Sequence, residues 1–351
     1  MMPILFLLGG LAEASEVEHD EAPLQLPEGL SFGGAIDVYF AYDLDRPADY
    51  RRPPFLYSFG RSQGAAINLG LLDAQYERGP VRASLGLMGG TFAQDNQGLE
   101  EPGMRNLYEA QIGLRLREGV WVDVGLFPSH VGAESAIGVE NLSPTRSLTA
   151  DNSPYYLAGA RVTADLSDRV TLSGLLVNGW QAIQQPPGRP GVAGGTQLAW
   201  QATDAVSLNW GTWVGHEQPS GEVRLFSDLW AGLTLDRLDG IAWFDVGTQG
   251  GEVWSGSNLQ GRYWLSELVG LGARVEHFSD PGGVVVAPDG QGVSLAGASV
   301  HLDLRPDLGQ DRAMALWRLE VRAFLADREI FGGPVSEKAN LAVTTTVGLR
   351  F

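Results

Sequence analysis

From Ala339 to Phe351 the chain alternates without a break. Leu341, Val343, Thr345, Val347, Leu349 and Phe351 point one way, and Asn340, Ala342, Thr344, Thr346, Gly348 and Arg350 point the other. This is the two-residue period of a β-strand. With one face apolar and the other small or polar, its length is that of a strand crossing a bilayer at a tilt. Repetition of the pattern along the chain calls for a closed transmembrane β-barrel rather than a soluble fold.

The pattern does repeat. Sixteen strand-like segments run at approximately 31–43, 65–78, 81–94, 106–117, 120–130, 155–166, 169–181, 192–202, 205–216, 223–234, 239–249, 253–265, 268–279, 292–305, 315–326 and 339–351. Every second connection is very short: Gly79-Pro80, Glu118-Gly119, Ser167-Asp168, Thr203-Asp204 and Ser266-Glu267. The intervening ones are mostly long: Leu44 to Gly64, Asp95 to Arg105, Val131 to Pro154, Ala182 to Gly191 and Asp327 to Lys338. Pro306 to Met314 and Gly250 to Glu252 break the rule. Short turns at one end and long loops at the other are the mark of an outer-membrane barrel. A soluble sandwich has no reason to segregate its loops so.

Energetics set which face looks inward. In the fifteenth segment Trp317, Leu319, Val321, Ala323 and Leu325 oppose Arg318, Glu320, Arg322 and Phe324. A lipid-facing Arg at mid-bilayer costs about 2–4 kcal/mol, so the charged faces line the interior. The sheet must close, because an open edge in hydrocarbon leaves N–H and C=O groups unpaired. About sixteen strands enclose water, unlike an eight-stranded barrel filled by its own side chains. By this parity the lumen-lining wall includes Arg82, Glu109, Arg115, Arg117, Asp123 and Arg161, with Arg262, Arg274, Glu276, Glu320 and Arg322 further along. Parity breaks near Leu71-Leu72, where a bulge is expected. Tyr155, Tyr156, Trp180, Trp254, Trp264 and Phe351 near strand ends suit interfacial girdles, and Trp213 and Trp243 suit the lumen.

Composition removes other classes. No apolar run approaches the roughly 18 residues of a membrane helix; the longest, Met1 to Ala12, is cut by Pro3 and glycines. Residues 1–14 read as a secretory signal with an Ala12-Glu13-Ala14 cleavage form, although no Lys or Arg precedes its apolar core. Residues 15–30 read as an acidic flexible tail, and 31–351 as the barrel. The 351 residues contain no cysteine, which excludes disulfides and thiolate chemistry. A net charge of −18 argues against nucleic acid. Lys338 is the only lysine.

The run Gly125-Leu-Phe-Pro-Ser-His-Val-Gly-Ala-Glu-Ser135, with Glu140-Asn141, Arg146-Ser147, Pro154-Tyr155-Tyr156, Gly159-Ala-Arg161 and Val177-Asn-Gly-Trp180, resembles the OmpL-like β-barrel porins. Tyr39-Phe-Ala-Tyr42-Asp43-Leu-Asp-Arg-Pro47 is similar to that family's opening strand and first loop. The resemblance runs from about residue 31 to the end. It implies a channel in the outer membrane of a Gram-negative bacterium, and adds little about the solute.

Val131 to Pro154 is the third long loop and the longest. In general porins the third loop narrows the lumen, and by analogy Glu134, Glu140, Asn141, Arg146 and Asp151 form the neck here. One reading sets these groups against inward wall arginines as a transverse field that filters small polar solutes. The other has the carboxylates simply pin the loop to the wall. Catalysis finds little support. Ser129-His130 are neighbours on a strand and point apart, and none of the five histidines has zinc-site spacing. Asp43 to Asp45 offers oxygen ligands of the kind calcium takes, but reads better as a solvated loop end. The expectation is a passive diffusion channel for small hydrophilic solutes or ions, seated in outer-membrane lipid as a homotrimer, with no cofactor and no enzymatic activity. The alternative is a sealed structural or receptor-type barrel acting through its extracellular loops.

Overall fold

A computed structural model describes residues 26–189, 191–309, 313–332 and 337–351. The signal sequence expected at 1–14 and most of the expected tail lie outside them. Sixteen strands follow in order. They are β1 (Leu30–Asp43), β2 (Gly64–Arg78), β3 (Val81–Gly89), β4 (Leu107–Arg117), β5 (Val120–Pro128), β6 (Tyr156–Ser167), β7 (Val170–Val177) and β8 (Ala193–Gln201). Then come β9 (Val206–His216), β10 (Val223–Thr234), β11 (Leu238–Gln249), β12 (Glu252–Trp264), β13 (Val269–Asp280), β14 (Val293–Leu304), β15 (Met314–Ala326) and β16 (Ala339–Arg350).

Each strand pairs antiparallel with its sequence neighbours, and β1 closes on β16 from Ala35↔Arg350 to Asp43↔Ala342. No sheet edge is left, as hydrocarbon requires. Among the described residues helix is confined to α1 (Thr91–Asn96), α2 (Leu148–Asp151) and a 3-10 turn at Gly138–Glu140, and none of it forms a layer over the sheet. The outer face carries an apolar band that includes Leu72 at 66% exposure, Leu176 at 63% and Val300 at 61%. In water such a surface would be untenable; lipid covers it. Behind it, Asp123, Asp303, Arg318, Glu320 and Arg322 are almost completely buried on the inner face.

The short turns use residues suited to them. Gly119 (φ 69°) lets the β4–β5 chain reverse within two residues. At Gly125 (φ 136°) a Cβ would stand 2.1 Å from the Ala110 carbonyl oxygen, so only glycine lets β5 lie that close to β4.

Three expectations are corrected. The expected bulge near Leu71-Leu72 lies earlier: the β1–β2 register shifts at Asp37/Val38, opposite Leu69 and Ile67, and Asn68 and Leu69 are both buried. Asn68 turns inward because its Oδ1 accepts the Phe59 N–H at 3.0 Å. The third segment stops at Gly89 instead of 94, where Gly90 (φ 118°) turns the chain into α1. Most of the supposed girdle aromatics face inward. Trp254 and Trp264 are buried, Tyr156 donates to Glu100 Oε1 at 2.9 Å, and Trp180 packs edge-on against Trp213 and Phe226. Exposed rings on the outer face include Phe32, Phe40, Trp200, Trp210, Phe244, Tyr263 and Trp317.

Candidate functional site: the third loop and the lumen wall

Residues 129–155 leave β5 at Pro128 and run inside the barrel. His130 Nε2 lies 2.7 Å from the Thr212 carbonyl oxygen on β9. Further on, Gly138 N–H donates to Asp37 Oδ2 on β1 at 2.7 Å. Helix α2 starts at a serine cap, with Ala150 N–H donating to Ser147 Oγ at 3.1 Å. The segment therefore crosses the lumen and lies along β12–β16 and β1.

Charged wall residues hold it there. Arg318 binds Asp303 through two bonds of 2.8 and 2.9 Å. The same guanidinium donates to the carbonyls of Gly138, Asn141 and Ser143 at 3.1 Å each, and to that of Leu142. Arg274 donates to the Thr145 carbonyl at 2.6 Å and pairs with Glu320 at 3.0 Å. Glu276 accepts the Leu148 N–H at 2.7 Å while paired with Arg322 at 2.6 Å. A loop backbone buried away from water needs such partners for every polar group. Charge-assisted bonds are the strong ones, which suits a segment lacking a strand neighbour.

The expected pairing of loop acids with wall arginines is replaced by a different arrangement. Glu134 accepts the Ser147 N–H at 2.9 Å and Gln260 Nε2 at 2.7 Å, with Arg146 Nε 3.9 Å away. Asp151 lies 3.6 Å from Arg146 Nη1 of the same loop. Asn141 staples the loop to itself, accepting from Ser135 N–H and donating to Ser135 O. Glu140 pairs with Arg350 at 3.1 Å, each side chain 34% exposed, and of the five it alone meets a wall arginine as an ion pair. Burial pushes the Asp151 carboxyl up to about 6, against the pull of Arg146 and Arg322. Burial also brings the Arg146 guanidinium down to about 10, opposed by Asp151 and Glu134.

The expected wall residues fall into separate groups. Arg274, Glu276, Glu320 and Arg322 lie beneath the loop, out of solvent. Arg82, Glu109 and Arg161 line a water-accessible cavity of 460 Å³ on the β1–β6 side, with Ser31, Gln75 and Gln111. Asp123 anchors that side, gripped by Arg82 at 2.6 and 2.7 Å and by Arg161 at 3.5 Å. Arg262 bridges Asp239 at 3.1 Å and Asp303 at 3.5 Å. Arg115 and Arg117 are exposed near the short-turn end of β4, Arg115 over the Trp121 ring at 5.6 Å. The residues that do most to hold the loop, Arg318 with Asp303 and Asp37, were not picked out. Parity already placed Arg318 on the face of Glu320 and Arg322.

On the long-loop side, Phe55 and Leu56 of the first loop join Leu148, Phe278, Phe324 and Phe331 in one buried cluster. Among the described residues no group of three or more His, Asp or Glu could hold a metal ion. Asp43 spends Oδ1 on Asp45 N–H and Asn340 Nδ2. Ser129 Oγ accepts from Val131 N–H at 3.4 Å, and His130 turns to Thr212 instead.

A family model described as "Putative beta-barrel porin-2, OmpL-like" matches residues 29–351. No curated protein matches the chain. Among solved structures it is similar to Salmonella typhi OmpF in complex with daunomycin, at 9% identity and TM-score 0.62, covering 92% of this chain and 97% of that one. It is similar to Pseudomonas putida OprB at 10% identity and TM-score 0.59, covering 92% and 94%. The anion-selective porin from Comamonas acidovorans matches at 10% identity and TM-score 0.58, covering 92% and 99%. At these identities the likeness is one of fold.

Proposed function

Because this chain belongs to the OmpL-like β-barrel porin family and resides in the Gram-negative outer membrane, we propose that it is a passive diffusion channel for small hydrophilic solutes, narrowed by its third loop. The observation that carries this reading is the course of residues 129–155 through the lumen, held by Arg318, Arg274 and Glu276. A loop fixed to β12–β16 leaves the β2–β6 side as the solute path. Arg82, Arg161, Glu109 and Asp123 would set its electrostatics there. Glu134, Glu140, Asn141, Arg146 and Asp151 would form the loop side of the neck. No step of catalysis is required. The channel would assemble as a homotrimer, to be checked by the mass of the detergent-extracted protein.

The cluster joining Phe55, Leu148 and Phe331 favours a second reading, a barrel sealed from the long-loop side. Planar-bilayer recording decides. Steady open-channel current is the expected result, and silence across many insertions would establish the sealed barrel.

A further inference from the structure

Between the third loop and the β3–β5 wall lies a separate cavity of about 130 Å³. Its apolar lining comes from Met88, Phe92, Tyr108, Val131, Pro154 and Tyr155. Phe92 meets Tyr155 edge to face with centroids 5.0 Å apart, and the Arg146 guanidinium stacks on the Tyr155 ring at 3.3 Å. An apolar cavity of about 150 Å³ accepts one benzene ring, so the space suits a single six-membered ring.

Gln97, Glu134, Arg146 and three serines bring polar groups to this lining. Gln97 Nε2 is spent on the Leu107 carbonyl, Arg146 Nη2 on that of Ala150 and Glu134 on Ser147 N–H and Gln260, but other atoms of Gln97 and Arg146 stay unspent. Gln97 is 2% exposed and Arg146 3%. Gln97 Oε1 accepts nothing, Arg146 Nε and Nη1 donate no hydrogen bond, and the Tyr155 hydroxyl has no partner. Buried polar groups without partners cost stability unless a ligand or water supplies them. A mostly apolar pocket with a few convergent polar groups is the usual form of a small-molecule site. Charge narrows the ligand further. Glu134 at 3.9 Å and Asp151 at 3.6 Å already flank Arg146, so an anion would meet two carboxylates beside one guanidinium.

We propose that this cavity is a subsite for a small uncharged phenol, whose ring lies among Phe92, Tyr108 and Tyr155 and whose hydroxyl groups are met by Arg146, Gln97 and the Tyr155 hydroxyl. The site deepens the channel reading, since it would sit on the solute path, and it rests on that reading for its role in transport.

The test is saturation-transfer NMR on the detergent-folded full chain with resorcinol, benzoate and glucose as probes. Met88→Trp, which fills the cavity, corrects for partition into micelles. Resorcinol should give a signal on the native protein that Met88→Trp loses, and benzoate and glucose should give none above that background. Tyr155→Phe and Gln97→Leu should each weaken resorcinol binding about fivefold, the scale of one lost hydrogen bond. Equal resorcinol signals on the native protein and Met88→Trp, or benzoate binding as strongly as resorcinol, overturns the proposal. Should Met88→Trp fail to fold, unchanged affinity in the other two variants overturns it. Bilayer recording separates the two ideas: conduction without resorcinol binding removes the subsite alone, and binding without conduction removes the channel and leaves the subsite.

Discussion

Arg318 and Asp303 face each other across the β14–β15 pair and bind through two hydrogen bonds, both side chains essentially out of solvent. The guanidinium has donors to spare, and it uses them on consecutive stretches of the third loop. A wall residue thus acts as the loop's main clasp.

Replacing Arg318 by Met leaves Asp303 buried with the more distant Arg262 at 3.5 Å and the His301 ring at 4.0 Å, and frees four loop carbonyls. Breaking a buried pair from one side costs about 3–5 kcal/mol. The loop is expected to leave the wall, giving a larger and noisier single-channel conductance and a lower unfolding temperature. Conductance and thermal gel-shift measurements check both.

Gly348 on β16 sits under the loop. A Cβ there would lie 2.4 Å from Val139 Cγ1 and 2.6 Å from Asp37 Oδ1. Gly348→Val should therefore push the 3-10 turn off β1 and β16 and cut the bond from Gly138 N–H to Asp37. Faster hydrogen exchange at residues 138–141, with the barrel still resistant to detergent, is the expected readout.

The Glu140–Arg350 pair is half-solvated, so its loss should cost under about 1 kcal/mol. Its charge, however, faces water inside the lumen. Glu140→Gln should shift the reversal potential in a salt gradient toward anions while leaving thermal stability nearly unchanged.

For Asp151 the sign follows from its carboxyl being raised to about 6 in the folded protein from 3.8. The docked loop then holds a proton that the released loop gives up, so docking through this group is strongest below about pH 4 and weakens as pH rises through 6. Hydrogen exchange at residues 148–152, corrected for intrinsic rates, should slow between pH 7 and pH 5. Asp151→Asn should remove that difference.

Much of this architecture is legible in the residues themselves. Alternation fixes the facing of Arg318, Glu320 and Arg322, and loop lengths fix which end is which. What alternation cannot supply is the angular position of a residue around the barrel. Parity says that Arg82 and Arg318 both point inward, but not that one lines water and the other lies under the loop. The misplaced aromatics have a similar cause. A tryptophan near a strand end suits a lipid girdle or a lumen cluster equally, and Trp254 took the second because Phe226 and Arg224 await it there. The bulge at Asn68 was displaced because Leu69, Leu71 and Leu72 are all apolar and hide the shift in period.

The clasp on the third loop also dictates an order of assembly. Gly138 and Arg318 are 180 positions apart, and Arg274, Glu276 and Glu320 likewise lie far downstream of the loop they hold. Asp37 on β1 and Thr212 on β9 are there earlier, but the clasps on β13 to β15 exist only once the final hairpins arrive. Full furnishing of the interior therefore waits on the last strands of the ring.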